Sequence, residues 1–116
     1  MRKRSYKGLR KLAWDTFSKW IRKRDNGICI TCGKKDDIKE MQAGHFVHRD
    51  CLDFDERNVN CQCPQCNNYK SGRLEVYAMK LIQMYGAGIV EELNLLGHQV
   101  RKFSRNELEQ IIEKYK

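Results

Sequence analysis

The sequence predicts a small α+β domain, a cysteine-bracketed finger flanked by N- and C-terminal helices. Three observations predict it. Two Cys-x-x-Cys pairs, Cys29/Cys32 and Cys63/Cys66, bracket the middle of the chain. A stretch between them alternates in the manner of a strand, and apolar residues recur at helical spacing on either side. With 116 residues the chain has room for one domain, read as a basic helix (1–24), a bracketed core (25–73) and a helical C-terminal part (74–116).

The first helix is expected over residues 9–24. Leu9, Leu12, Ala13, Phe17, Trp20 and Ile21 lie at helical spacing, and Arg10, Lys11, Lys19, Arg22 and Lys23 take the remaining surface. Asp25-Asn26-Gly27 ends it, since Asn and Gly adopt the left-handed cap. Trp14 lies off the apolar stripe and fits either the edge of a core or a stacked base. Residues 40–48 read as a strand with Met41, Ala43, His45 and Val47 on one face. A polar, acidic loop follows over 49–56, and residues 66–70 open a short helix. Leu74, Tyr77, Ala78, Leu81 and Tyr85 form a helical stripe stopped at Gly86, and Ile89, Val90, Leu93 and Leu96 form another stopped at Gly97. Ser104 and Glu107 make a capping box, with Phe103 and Leu108 at staple positions, for a last helix through about Tyr115.

Charge is divided unevenly. The formal net charge is +8, yet residues 1–24 hold ten basic side chains and a single acid, Asp15, while the remainder holds 13 basic and 14 acidic ones. An acidic polymer, nucleic acid first, is the expected partner of the basic segment, and Arg22, Lys23 and Arg24 are its candidate phosphate contacts. No apolar run approaches the roughly 20 residues that span a bilayer. The basic start is not followed by an apolar signal-peptide core, so a cytoplasmic chain without a membrane partner is expected.

In a reducing compartment six cysteines do not imply disulfides. A Cys-x-x-Cys turn points two thiolates at one tetrahedral ion, and two such pairs call for structural Zn²⁺ on Cys29, Cys32, Cys63 and Cys66. Gly33 suits the tight turn after the first pair. Cys61 can replace Cys63 in a wider pair, and Cys51 reads as an unpaired, partly buried thiol. The 30 residues between the pairs exceed the 15–20 of a simple zinc ribbon. That insert carries His45 and His48; the third histidine, His98, reads as a cap or surface group beside Gly97.

The order of these pieces resembles the HNH, or ββα-metal, endonuclease family in its zinc-bracketed form, and within it the lambdoid phage NinG (Rap) recombination nucleases. The residues that carry the resemblance are the Gln-Ala-Gly-His-Phe run at 42–46, the segment 54–58, and the Gln-Cys-Pro-Gln-Cys-Asn run at 62–67. The resemblance covers about residues 25–90 and implies a zinc-stabilised ββα-metal finger. It implies His45 as general base, Asn58 fixing the loop or orienting the imidazole, and Asn67 giving an oxygen to a catalytic Mg²⁺ or Mn²⁺. It further implies a metal-dependent DNA endonuclease acting on branched recombination intermediates such as Holliday junctions and D-loops, in the host bacterial cytoplasm, as a possible homodimer. Physical chemistry is consistent with these roles, because an imidazole titrates near neutrality and hard cations take oxygen ligands.

One position departs from the family pattern. Many HNH sequences carry a metal-binding side chain just before the base, where this chain has Gly44. His48 is a substitute ligand, although three residues along a regular strand place it opposite His45 unless a bulge intervenes. Asp53 and Asp55 are others. Arg49, Arg57, Lys70 and Arg73 surround the motif as candidate DNA contacts. The alternative function is a non-catalytic, zinc-containing nucleic-acid-binding module.

Overall fold

The computed structural model describes residues 3–116. Helix α1 (Tyr6–Arg24) starts three residues before the apolar stripe, because the Ser5 side chain caps it by accepting from Gly8 N–H at 3.0 Å. Its last turn carries Arg22, Lys23 and Arg24, matched to the negative end of the helix dipole. Asn26 then turns at φ 55°, the left-handed exit that the sequence implies.

The strand expected over 40–48 is shorter. Strand β1 (Gln42–His45) pairs antiparallel with β2 (Val59–Gln62), in the register Gln42↔Gln62, Ala43↔Cys61, Gly44↔Asn60 and His45↔Val59. No bulge interrupts the ladder. Alternation turns Ala43 toward α1, where it packs with Phe17, Ile21, Val59 and Tyr115. Gln42 and Gly44 face the other side.

After β2 the chain makes a π-helical turn (Gln65–Tyr69), then helices α2 (Leu74–Tyr85), α3 (Ile89–Leu96) and α4 (Arg105–Tyr115). Of the stripes read from sequence, the central residues pack, whereas Leu74 and Tyr85 at the two ends of α2 are exposed. Tyr77, Leu81, Ile89 and Leu93 form one buried cluster with Phe46 and Val47 against it. α4 lies on α1, with Leu9, Ala13, Phe103 and Leu108 between them. The Ser104–Glu107 capping box is present in full. No helix among the described residues is long and apolar enough to cross a membrane.

Candidate active site and metal centre

The first Cys-x-x-Cys turn is a short hairpin closed by an Ile28↔Lys35 bridge and by Cys29 N–H donating to the Lys34 carbonyl at 2.8 Å. Gly33 sits in it at φ 78°, a left-handed conformation that favours a residue without Cβ. Ile30 N–H donates to the Cys61 carbonyl at 2.8 Å, which straps this turn to β2 and sets it beside the second pair. The Sγ atoms of Cys29, Cys32, Cys63 and Cys66 consequently lie within 4.8 Å of one another. A zinc–thiolate tetrahedron with bonds near 2.3 Å places its sulfurs about 3.8 Å apart, and Cys32 Sγ and Cys63 Sγ are 3.7 Å apart. The four thiols fit one zinc ion.

The alternative ligand Cys61 does not join them. It is fully buried in the adjoining core with Met41, and burial together with the Asp25 carboxylate pushes its thiol up to about 12. Within the cluster, burial works against the Cys29 thiolate. Hydrogen bonds from the Thr31 hydroxyl and from backbone N–H groups outweigh that and bring it down to about 6. Cys51 is half-buried, its Sγ directed at the Leu96 carbonyl at 3.5 Å.

His45 ends β1 on the face toward α1. Its ring stacks on Trp14 at 4.9 Å and 13°. Of the two roles open to Trp14 in the sequence, it takes the core edge, packed beside Phe17, and from there it holds the imidazole. His45 Nε2 lies 2.9 Å from Asp53 Oδ1, at ion-pair distance but outside hydrogen-bond alignment. The other oxygen of Asp53 accepts from Arg10 at 2.6 Å. Asp53 therefore faces the histidine and is itself held by a cation from α1. Only the fold brings Arg10, Trp14, His45 and Asp53 together, and the acidic loop at 49–56 was the one sequence signal for part of it.

Asn58 does not reach the imidazole. Its Oδ1 accepts from Val47 N–H at 2.8 Å and its Nδ2 donates to the Val47 carbonyl at 3.0 Å. Of its two expected roles the geometry selects loop fixation: the amide pins the bend that follows His45. That bend also corrects the expectation for His48. The strand stops at His45, so strand alternation no longer applies, and the two rings lie 5.7 Å apart without any bulge at Gly44.

Asn67 lies across β1 from α1. Its Nδ2 donates to Gln42 Oε1 at 2.7 Å, and its Oδ1 points toward Gly44. A cleft of about 370 Å³ runs beside β1, with Trp14, Ser18 and Arg22 on one wall and Gln42 and Asn67 on the other. The carboxamide oxygens there are hard donors of the kind that Mg²⁺ and Mn²⁺ accept. Asp55 is taken up by Arg57, whose backbone N–H donates to Asp55 Oδ1 at 2.9 Å. Among the described residues, His48, Asp53 and Asp55 join no cluster of three metal-binding side chains; the four cysteines are the only such cluster.

Of the basic candidates, Arg22 donates to the Ile38 carbonyl at 2.7 Å, and Arg24 donates to Asp25, the Glu56 and Val59 carbonyls and Asn60. Both guanidiniums act as internal struts. Lys23, Arg49 and Lys70 are exposed, and Arg73 is half-buried at the start of α2.

Comparison with known proteins adds a family. A family model described as Bacteriophage Lambda NinG protein matches residues 1–116. Protein ninG of Salmonella phage P22 is 34% identical over 109 residues, 90% of this chain and 53% of that protein. Protein ninG of Escherichia phage 933W is 35% identical over the same shares. Protein ninG of Escherichia phage lambda is 37% identical over 87 residues, 72% of this chain and 42% of that protein. The chain spans about half the length of these relatives. No solved structure matches.

Proposed function

The chain belongs to the bacteriophage NinG family, and from that premise we propose that it is a metal-dependent DNA endonuclease of the HNH type. The observation that carries this reading is the setting of His45. The imidazole stands at the end of a strand, stacked on Trp14 and facing an Arg10-held Asp53, one residue from the carboxamide oxygens over Gly44. A half-buried histidine of purely structural use does not need a carboxylate at ion-pair distance.

In this reading the ring nitrogen turned away from Asp53 takes a proton from water. That water's oxygen bonds to phosphorus, and the bond from phosphorus to the 3′-oxygen breaks. The products are a 5′-phosphate and a 3′-hydroxyl, the 3′-oxygen gaining its proton from solvent. Asp53 stabilises the imidazolium so formed, and Trp14 holds the ring plane. Asn58 keeps the bend after His45 in place. Asn67 would hold a Mg²⁺ or Mn²⁺ ion, which when bound supplies positive charge for the phosphorane and the leaving oxygen. Zinc on the four cysteines is structural, because a closed thiolate tetrahedron keeps no position for water. The preference for branched recombination intermediates rests on the family resemblance.

The test is a cleavage panel over duplex, single-stranded and branched DNA and RNA, with Mg²⁺ or Mn²⁺. DNA is expected to be cut, and His45→Ala is expected to slow cutting by roughly 10²–10⁴-fold while zinc content and DNA affinity stay unchanged. If neither metal supports cutting of any DNA form, the chain is a non-catalytic zinc-bearing binding module instead. Preferential cutting of RNA would make it a ribonuclease.

A further inference from the structure

Gly44 is not a glycine for conformational reasons, because its backbone is ordinary extended strand in regular pairing with Asn60. It is a glycine for reasons of space. A Cβ at residue 44 would fall 1.9 Å from Gln62 Oε1 and 3.0 Å from Asn67 Oδ1. Two carboxamide oxygens, one from β2 and one from the turn after it, thus converge where a side chain of residue 44 would stand.

Gln62 is wholly buried. Its Nε2 donates to the Gly72 carbonyl at 2.9 Å and to the Thr31 hydroxyl at 3.2 Å. A carbonyl only accepts, so this contact fixes which end of the amide is which. Oε1 is consequently aimed over Gly44, and it has no hydrogen-bond partner. A buried oxygen without a donor costs about 1–3 kcal/mol, and a cation beside it would offset that. Asn67 Nδ2 donates to Gln42 Oε1 at 2.7 Å, which leaves Asn67 Oδ1 on the side of Gly44.

We propose that Gln62 is a ligand of the divalent cation: its Oε1 and Asn67 Oδ1 form the protein's part of the site, replacing the ligand that Gly44 cannot provide. This rests on the nuclease reading above and names the residue that completes its metal site. Both oxygens are neutral, and no carboxylate cluster joins them among the described residues. A neutral pair binds Mg²⁺ or Mn²⁺ weakly, and phosphate oxygens of the substrate supply the missing negative charge. The ion therefore binds together with DNA.

The experiment uses the full zinc-loaded chain carrying His45→Ala, so that DNA stays intact, with Mn²⁺ as probe and the free ion followed by electron paramagnetic resonance. Mn²⁺ is expected to bind at least roughly 10-fold more tightly with duplex DNA than without it. Gln62→Leu should weaken the DNA-dependent site by roughly 10–100-fold. Gln62→Glu, which keeps the shape and adds a charge, should bind Mn²⁺ measurably more tightly in the absence of DNA. Zinc content and circular dichroism certify that each variant is folded. Affinities equal to the parent in Gln62→Glu overturn the assignment, even if Gln62→Leu fails to fold. Affinities equal in both variants, while the chain with His45 intact cuts DNA with Mn²⁺, overturn the assignment and leave the nuclease reading standing. Mn²⁺ bound through Gln62, while the chain with His45 intact cuts no DNA, supports the assignment and sinks the nuclease reading.

Discussion

Tyr77 shows how single polar atoms hold the candidate site. Its hydroxyl is buried, donates to the Gly44 carbonyl at 2.7 Å and accepts from Asn60 Nδ2 at 3.1 Å. Burial raises its pKa above the usual tyrosine range, so the group remains a donor throughout the working pH range. It thereby fixes the backbone one residue before His45 from the opposite face of the sheet. Tyr77→Phe keeps the ring and removes the donor, leaving a buried carbonyl and amide short of partners. Urea unfolding should register a loss of about 1–3 kcal/mol, with zinc content intact. In the sequence Tyr77 was legible as a core position of a helical stripe. Its hydroxyl's partners were not, because they lie 17 to 33 residues away.

At the scale of elements, α1 has two separate tasks on two faces. Its inner face supplies Phe17 and Ile21 to the core, Trp14 to the imidazole and Arg10 to Asp53. The outer face keeps its lysines for solvent, with Lys19 and Lys23 exposed one turn apart. Arg22 and Arg24, basic like Lys23 in the sequence, spend their donors on carbonyls and Asp25. If DNA is the partner, Lys19→Gln with Lys23→Gln should lower affinity and flatten the log-affinity against log-salt slope by roughly 1 for each phosphate no longer neutralised. Turnover at saturating DNA should hold. Fluorescence anisotropy across a salt series measures the slope, and an unchanged slope assigns the charge to solubility alone.

At the scale of the whole molecule, the four cysteines stand where one zinc ion would staple two distant segments. The two pairs are joined through the Ile30–Cys61 backbone bond and frame the sheet that carries His45. Structural zinc contributes on the order of 10 kcal/mol to folding in small domains, comparable with the total stability of about 5–15 kcal/mol. A strong chelator should therefore lower the melting temperature steeply and unfold the region between the pairs. Metal analysis of variants checks the ligand set: Cys63→Ala should lose the zinc, and Cys61→Ala should retain one ion per chain.

The sequence by itself determined the features that depend on near neighbours. Helix stripes, the Ser104–Glu107 box, the left-handed exit at Asn26 and the Cys-x-x-Cys turns are set by spacings of a few residues, and these are in the structure. It also singled out His45, Asn58 and Asn67 as candidates. Tertiary structure decided everything that needs atoms from distant segments. It selected Cys63 over Cys61 by which thiol faces the cluster, turned Asn58 onto Val47, ended β1 early enough to bring His48 beside His45, and set Asp53 against the imidazole. It also set Gln62 Oε1 and Asn67 Oδ1 over Gly44. Spacing fixes which face a side chain takes along one element, whereas partners across the fold depend on how the elements pack, and Gln62 reaches the space over Gly44 only because β1 and β2 pair in one register.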